Sequence, residues 1–315
     1  MKNLIKIKGD ASFREFFRKK NKKYSSILVF AKKEKFKNLL VYDAVNKILN
    51  KNGVLAPKLY QESYDKDYLE IQDFGNDTVF KILKKKKYNK FFYFRKIINV
   101  LDQIQSIKDT NTINFKKKKF TLSKYKKEIL EKESFLFCDW YVKKNLPKKN
   151  RNDFNKNFKK IIRKLTSNLK LKNDTFVHRD FHVSNLMLVK DRIGVIDSQD
   201  ALIGNVAYDL ASLIDDVRFK TLNSFKNKIY KLYVNKKKKL NKNKFKNDFE
   251  ILSVMRNLKI IGIFTRLAVR DNKKKYLKLI PYTWKLINLR INKNAIFKDL
   301  KNILIKNFKE KIKWK

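Results

Sequence analysis

The sequence predicts an α+β fold in two lobes, a small mixed lobe over residues 1–77 and a larger, mainly helical lobe over 78–315. Three observations predict it. Runs with strand patterning dominate the first part of the chain, helical periodicity dominates from Thr78 onward, and the turn-forming run Asp73-Phe74-Gly75-Asn76-Asp77 lies between them.

In the first lobe, Phe13–Arg18, Ile27–Phe30 and Tyr68–Gln72 read as strands from their alternating or continuous apolar pattern. Between the second and third, Phe36, Leu39, Leu40, Val41, Ala44, Val45, Ile48 and Leu49 recur at helical spacing. The helix should stop at Asn52-Gly53, with Pro57 shortly beyond. In the second lobe, amphipathic helices are expected around Phe94–Gln105, Tyr125–Val142, Phe154–Leu169, Tyr208–Phe219, Phe249–Val269 and Tyr282–Ile291. A last one carries the stripe Ile296, Leu300, Ile303, Leu304 and Phe308. A strand-like interlude at Thr175–Asp197 interrupts them.

Composition narrows the function classes. No apolar run approaches the roughly eighteen residues of a membrane span, and the N-terminal stretch lacks the apolar segment of a secretory signal. The single cysteine, Cys138, cannot form an internal disulfide, so a protein of a reducing cytoplasm is expected, with no membrane partner. The formal charge of +49 invites a nucleic-acid-binding reading. Yet only 12 of the 79 basic residues are arginine, the residue that planar bidentate recognition prefers, and the lysines are scattered along the whole chain. Drift toward lysine codons explains this pattern better, leaving non-specific attraction to polyanions as its consequence.

The chemistry concentrates in His178-Arg179-Asp180-Phe181-His182-Val183-Ser184-Asn185, followed by Leu186–Val189, Lys190-Asp191-Arg192 and Ile193-Gly194-Val195-Ile196-Asp197. Both histidines of the chain lie here, but no thiol pair or third histidine completes a zinc shell. His178 is expected to support the loop. The two apolar runs should pair as a hairpin centred on Asp191, which would set Asn185 opposite Asp197 at the open end. A carboxylate and an amide oxygen together suit Mg²⁺, with phosphate and water oxygens filling the shell. Asp180, five residues before Asn185, is then the candidate base for an acceptor hydroxyl. The spacing H-R-D-x-x-x-x-N, with an aspartate after the hairpin, matches the protein-kinase pattern.

These residues, with Ile196-Asp197-Ser198-Gln199-Asp200-Ala201 and Tyr208-Asp209-Leu210-Ala211-Ser212-Leu213, resemble the aminoglycoside phosphotransferase/choline kinase superfamily. Within it they resemble the bacterial branch of anomeric N-acetylmuramate and N-acetylglucosamine kinases. Gly9-Asp10-Ala11-Ser12-Phe13-Arg14, Gly53–Pro57, Asp73-Phe74-Gly75, Asp139-Trp140-Tyr141 and Gly262–Arg270 add to the likeness. The resemblance implies a kinase-like fold, ATP in the cleft between the lobes, Mg²⁺ on Asn185 and Asp197, Asp180 as base, and Asp209 bracing the loop. It also implies an amino-sugar acceptor and a role in cell-wall sugar recycling. Gly9, Asp10, Ser12, Arg14 and Lys32 are the candidates for nucleotide binding. Asp10–Arg14 would act through backbone N–H groups or serve only as turn packing. Glu133, Trp140 and Tyr141 are candidates for the acceptor wall. Position 198 is Ser where the branch usually carries Phe. The competing readings are a kinase of an amino alcohol, an aminoglycoside or another sugar, a pseudokinase, and a nucleic-acid-associated protein.

Overall fold

A computed structural model of the chain describes residues 4–7, 14–20, 24–31, 38–85 and 87–312. Its elements begin with β1 (Leu4–Ile7), β2 (Glu15–Lys20), β3 (Ser25–Phe30), α1 (Asn38–Lys51), β4 (Leu59–Ser63) and β5 (Tyr68–Gln72). α2 (Val79–Lys84), α3 (Lys90–Gln105), β6 (Asn111–Ile113) and β7 (Lys119–Thr121) follow. Then come α4 (Lys127–Leu136), a π-helical segment Phe137–Val142, α5 (Lys143–Asn145) and α6 (Lys148–Ser167). β8 (Asn173–Val177), β9 (Leu186–Val189), β10 (Arg192–Val195) and β11 (Leu202–Asn205) form the interlude. The chain closes with α7 (Tyr208–Ile214), α8 (Asn223–Lys236), α9 (Lys242–Val269), α10 (Ile280–Ile291) and α11 (Lys298–Ile312).

By packing, the chain falls into two units, Met1–Lys124 with Asp174–Gly204, and Tyr125–Asn173 with Asn205–Lys315. The first holds an antiparallel sheet of five strands in the order β1-β2-β3-β5-β4. Ile27 and Val29 of β3, with Leu69 and Ile71 of β5, pack against Leu39 and Tyr42 of α1. α1 ends as its sequence dictates. Gly53 takes φ +75°, a conformation that costs other residues strain, and Val54 N–H returns to Leu49 O at 3.0 Å. The expected strands at 27–30 and 68–72 are present, and the expected 13–18 strand runs over Glu15–Lys20. β1 and β4, the two sheet edges, were not expected; neither contains a fully buried residue.

The interlude belongs to this first unit because its hairpin is stitched into it. Leu188 N–H donates to Asp77 O at 2.9 Å on one side, and Val195 N–H to Leu55 O at 2.8 Å on the other. Asp73–Asn76 is fastened as well: Arg18 donates to both oxygens of Asp73 at 2.6 and 3.0 Å, to Asn76 Oδ1 at 2.6 Å and to Gly75 O at 2.9 Å.

The second unit is helical around α9, whose residues are buried along most of its length. Gly262 of α9 explains the close approach of the Tyr125–Val142 stretch. A Cβ there would lie 2.4 Å from the carbonyl of Leu136 and 2.7 Å from the nitrogen of Phe137. That stretch was expected as one amphipathic helix; it changes from α4 to a π turn at this contact. Phe137, Tyr141, Trp284 and Phe308 form an aromatic core beside it. α7 ends at Ile214, five residues short of the expected Phe219. Asp215 there is tied by two hydrogen bonds from Arg290, at 2.9 and 3.0 Å, and one from Ser253, at 2.6 Å.

Candidate active site

β8 delivers His178, and the chain then turns sharply. Arg179 adopts φ +72°, and the Asp180 carbonyl accepts His182 N–H at 3.0 Å and Asn185 Nδ2–H at 3.1 Å. The loop bearing Asp180 is therefore closed on itself by the residue that follows it by five. Because the Asn185 amide donates to a carbonyl, its nitrogen is identified, and Oδ1 is the atom left for a cation. Asp180, Asn185 and Asp197 are all half-buried.

The hairpin differs from the expected one by a residue. Leu186 pairs with Val195 and Val189 with Arg192, so the turn is the two-residue Lys190-Asp191, with φ +43° and +62°. Its centre falls between those residues instead of on Asp191, and Asn185 faces Ile196, whose N–H donates to Asn185 O at 3.0 Å. A shift of one residue would move Asp197 to the other face of an extended strand. Asp197 leaves the strand instead, in the left-handed region at φ +65°. Four of the seven non-glycine left-handed residues among those described lie between Arg179 and Asp197. Such strain persists only where the surroundings fix it.

The fixing groups are visible. His178, fully buried, donates Nε2–H to Ile196 O at 3.2 Å, joining the end of β8 to the end of β10. Burial pulls its imidazole below the ordinary value, against the pull of Asp180 and Asp197, which favours a neutral ring with a fixed tautomer. Asp197 Oδ1 accepts from Arg14 Nη2 at 2.6 Å, Gln199 Oε1 accepts from Arg14 Nη1 at 2.8 Å, and Ser198 Oγ donates to Asn46 Oδ1 at 2.6 Å. Three successive residues are thus each held by a side chain from the N-terminal part of the chain. Neither Gln199, quoted only within the Ile196–Ala201 motif, nor Asn46 was given a role from the sequence. Arg14 also sits over the rings of Phe16 and Tyr42, at 5.7 and 5.8 Å. Burial outweighs the helping charge of Arg14 and pushes the Tyr42 phenol up to about 12.

Gly9, Asp10, Ser12 and Lys32 lie outside the described residues. Asp209 is fully buried in the first turn of α7. Of the acceptor candidates, Glu133 accepts from Tyr125 Oη and pairs with Lys259 at 3.0 Å. Trp140 is half-buried, and Tyr141 is buried in the aromatic core, its hydroxyl accepting from Trp284 Nε1 at 3.3 Å. Tyr141 also lines a cleft of about 290 Å³ with Lys144, Asn145, Pro281 and Trp284.

The donor set fits magnesium. Asn185 Oδ1 and the Asp197 carboxylate offer hard oxygen donors, and among the described residues no group of three or more His, Cys, Asp and Glu forms a self-sufficient metal cage. A two-ligand site of this kind suits an ion that arrives with phosphate and water oxygens.

A five-stranded antiparallel sheet followed by a mainly helical part, with an Asp-x₄-Asn loop leading into a hairpin that ends in aspartate, defines a phosphotransferase of kinase-like fold. The chain belongs to the phosphotransferase enzyme family, which matches residues 3–233, and with it to the aminoglycoside phosphotransferase/choline kinase superfamily. It is similar to the N-acetylmuramate/N-acetylglucosamine kinase of Neisseria meningitidis serogroup B, at 28% identity over 279 residues, 87% of this chain and 81% of that protein. The Pseudomonas aeruginosa protein of the same name is 26% identical over 307 residues, 96% of this chain and 87% of that one. Among solved structures, a choline/ethanolamine kinase family protein from Mesorhizobium loti has a TM-score of 0.64 at 11% identity, covering 95% of this chain and 92% of that one. Amicoumacin kinase in complex with AMP-PNP and Ca²⁺ has a TM-score of 0.65 at 12% identity, covering 91% and 89%. At these identities the structural likeness is one of fold. No helix among the described residues is long and apolar enough to cross a membrane.

Proposed function

We propose that the chain transfers the γ-phosphoryl group of ATP to the anomeric hydroxyl of N-acetylmuramate or N-acetylglucosamine, as a cytoplasmic step in cell-wall sugar recycling. The observation that carries the acceptor is the likeness to N-acetylmuramate/N-acetylglucosamine kinases along 87% and 96% of the chain. The loop geometry supports the reaction type. In this reading Asp180 takes the proton of the acceptor hydroxyl as its oxygen attacks the γ-phosphorus, and the bond to the bridging oxygen of ADP breaks. Asn185 Oδ1 and Asp197 hold magnesium, which when bound neutralises charge building on the phosphates. His178, through Ile196, and Asp209 support the loop. Arg14 serves the nucleotide side by way of Asp197, and the residues up to 77 make up the nucleotide-side lobe. Glu133, Trp140 and Tyr141 supply the acceptor wall.

The test is phosphoryl transfer from Mg·ATP to a panel of amino sugars, amino alcohols and aminoglycosides, followed by ³¹P NMR. The proposal expects a new phosphate resonance coupled to the anomeric proton of N-acetylmuramate or N-acetylglucosamine. Transfer to an amino alcohol or an aminoglycoside alone would contradict the acceptor; no transfer to any hydroxyl would contradict the reaction.

A further inference from the structure

Arg14 occupies one oxygen of the carboxylate that the proposed function gives to magnesium. Its side chain is 4% exposed, whereas that of Asp197 is 36% exposed. Among the described residues the arginine is anchored on Asp197 Oδ1 at 2.6 Å, on Gln199 Oε1 at 2.8 Å and on the faces of Phe16 and Tyr42. Moving it would strip a buried guanidinium of its counter-charge and expose two aromatic faces, a costly change. The carboxylate oxygen Oδ2 makes no hydrogen bond among the described residues, and it belongs to the more exposed of the two side chains.

We propose that Arg14 is a positioning residue that stays on Asp197 when the metal binds, presenting Oδ2 to the cation and weakening the hold of the site on a bare cation. The inference rests on the reading of Asp197 as a metal ligand. Two physical effects follow from one contact. The bidentate grip, shared between Asp197 and Gln199, fixes the carboxylate rotamer at a left-handed residue that would otherwise be free to turn. The guanidinium charge, within a few ångströms of any ion on Oδ2, opposes a bare divalent cation. It does not oppose a cation whose charge is already offset by nucleotide phosphates. Arg14 therefore couples metal binding to nucleotide binding, and by reciprocity the metal strengthens the nucleotide in turn.

The experiment is an EPR titration of free Mn²⁺ with the full-length protein, alone and with saturating ADP. Wild type should bind Mn²⁺ at least about tenfold more tightly with ADP than without. Arg14→Gln, which removes the charge, should bind Mn²⁺ alone about tenfold more tightly than wild type and narrow the difference made by ADP. Arg14→Lys, which keeps the charge, should remain as weak toward Mn²⁺ alone as wild type. Equal Mn²⁺ affinity of wild type with and without ADP would overturn the proposal, and this arm needs no variant to fold. Unchanged or weaker binding of Mn²⁺ alone by a folded Arg14→Gln protein would also overturn it. Asp197→Asn separates the two readings. If it binds Mn²⁺ with ADP as wild type does, Asp197 is not a ligand and the underlying reading fails. If it loses that binding while Arg14→Gln gains nothing, only the role of Arg14 fails.

Discussion

Ser198 and Asn46 show how much a single buried contact can carry at the residue scale. Ser198 is fully buried, its hydroxyl donates to Asn46 Oδ1, and the Asn46 amide nitrogen donates in turn to Pro57 O at 3.2 Å. A hydrogen bond thus lies next to Asp197 at the position where Phe was expected from the resemblance. Ser198→Ala leaves Asn46 Oδ1 short of a donor and should destabilise the protein by about 1–2 kcal/mol in urea unfolding. Ser198→Phe should cost about 1–3 kcal/mol or more, because a ring has no space where both partners are buried. Ser198→Phe as stable as wild type would show that the site accommodates a ring without cost. The residues within the loop were legible in the sequence because their spacing is short: Asp180 and Asn185 are five apart. Arg14 was named as a nucleotide-side candidate, but its hold on Asp197, 183 residues away, was not legible, nor was Asn46, whose partner lies 152 residues away, because no local pattern announces such pairings.

Among the elements, those with one strongly buried face were legible and those whose form depends on a neighbour were not. α1 and α3 carry clear helical stripes, and β5 has three buried residues in succession. β4 alternates poorly and bulges between Leu59 and Gln61. The hairpin was legible in kind, but its register differs by one residue from one centred on Asp191. The left-handed pair Lys190-Asp191 makes the turn, and nothing in the identity of those residues excludes a three-residue turn. The π turn at Phe137–Val142 was illegible because its cause, Gly262, sits on another helix. Gly262→Ala forces a methyl group into the backbone of Leu136 and Phe137. It should lower stability by about 2 kcal/mol or more, read as a fall in the thermal midpoint. A thermal midpoint equal to that of wild type would show that the contact relaxes without cost.

For the whole molecule, the +49 charge conceals a division of labour between two kinds of cation. Arginines hold the built contacts: Arg14 on Asp197, Arg18 on Asp73, and Arg290 on Asp215. The lysine runs at 117–119 and 236–239 are largely exposed, as drift at permissive sites would leave them. Some lysines also hold built contacts: Lys226, buried at 3.3 Å from Asp215, Lys259 on Glu133 and Lys19 on Glu70. Burial alone would raise the Asp215 carboxyl, but Arg290 and Lys226 hold it down to about 2. A carboxylate depressed in the folded state contributes stability above its unfolded value and loses it as pH falls through the folded value. Asp215 should therefore contribute about 2 kcal/mol above pH ~4, fading between about pH 4 and pH 2. Asp215→Asn strands two buried cations and should cost about 3–5 kcal/mol at neutral pH. Urea unfolding of both proteins from pH 7 downward checks the size and the pH window. A variant as stable as wild type at pH 7 would remove Asp215 from this account.

The catalytic claim rests on the closed loop from His178 to Asn185, and single-turnover kinetics of Asp180→Asn test it most directly. Asp180→Asn keeps the side-chain volume and leaves the backbone carbonyl that holds Asn185 in place. Phosphoryl transfer should fall by about a thousandfold while Mg·ADP affinity stays within threefold of wild type. Transfer within tenfold of wild type would contradict the assignment of Asp180 as the base.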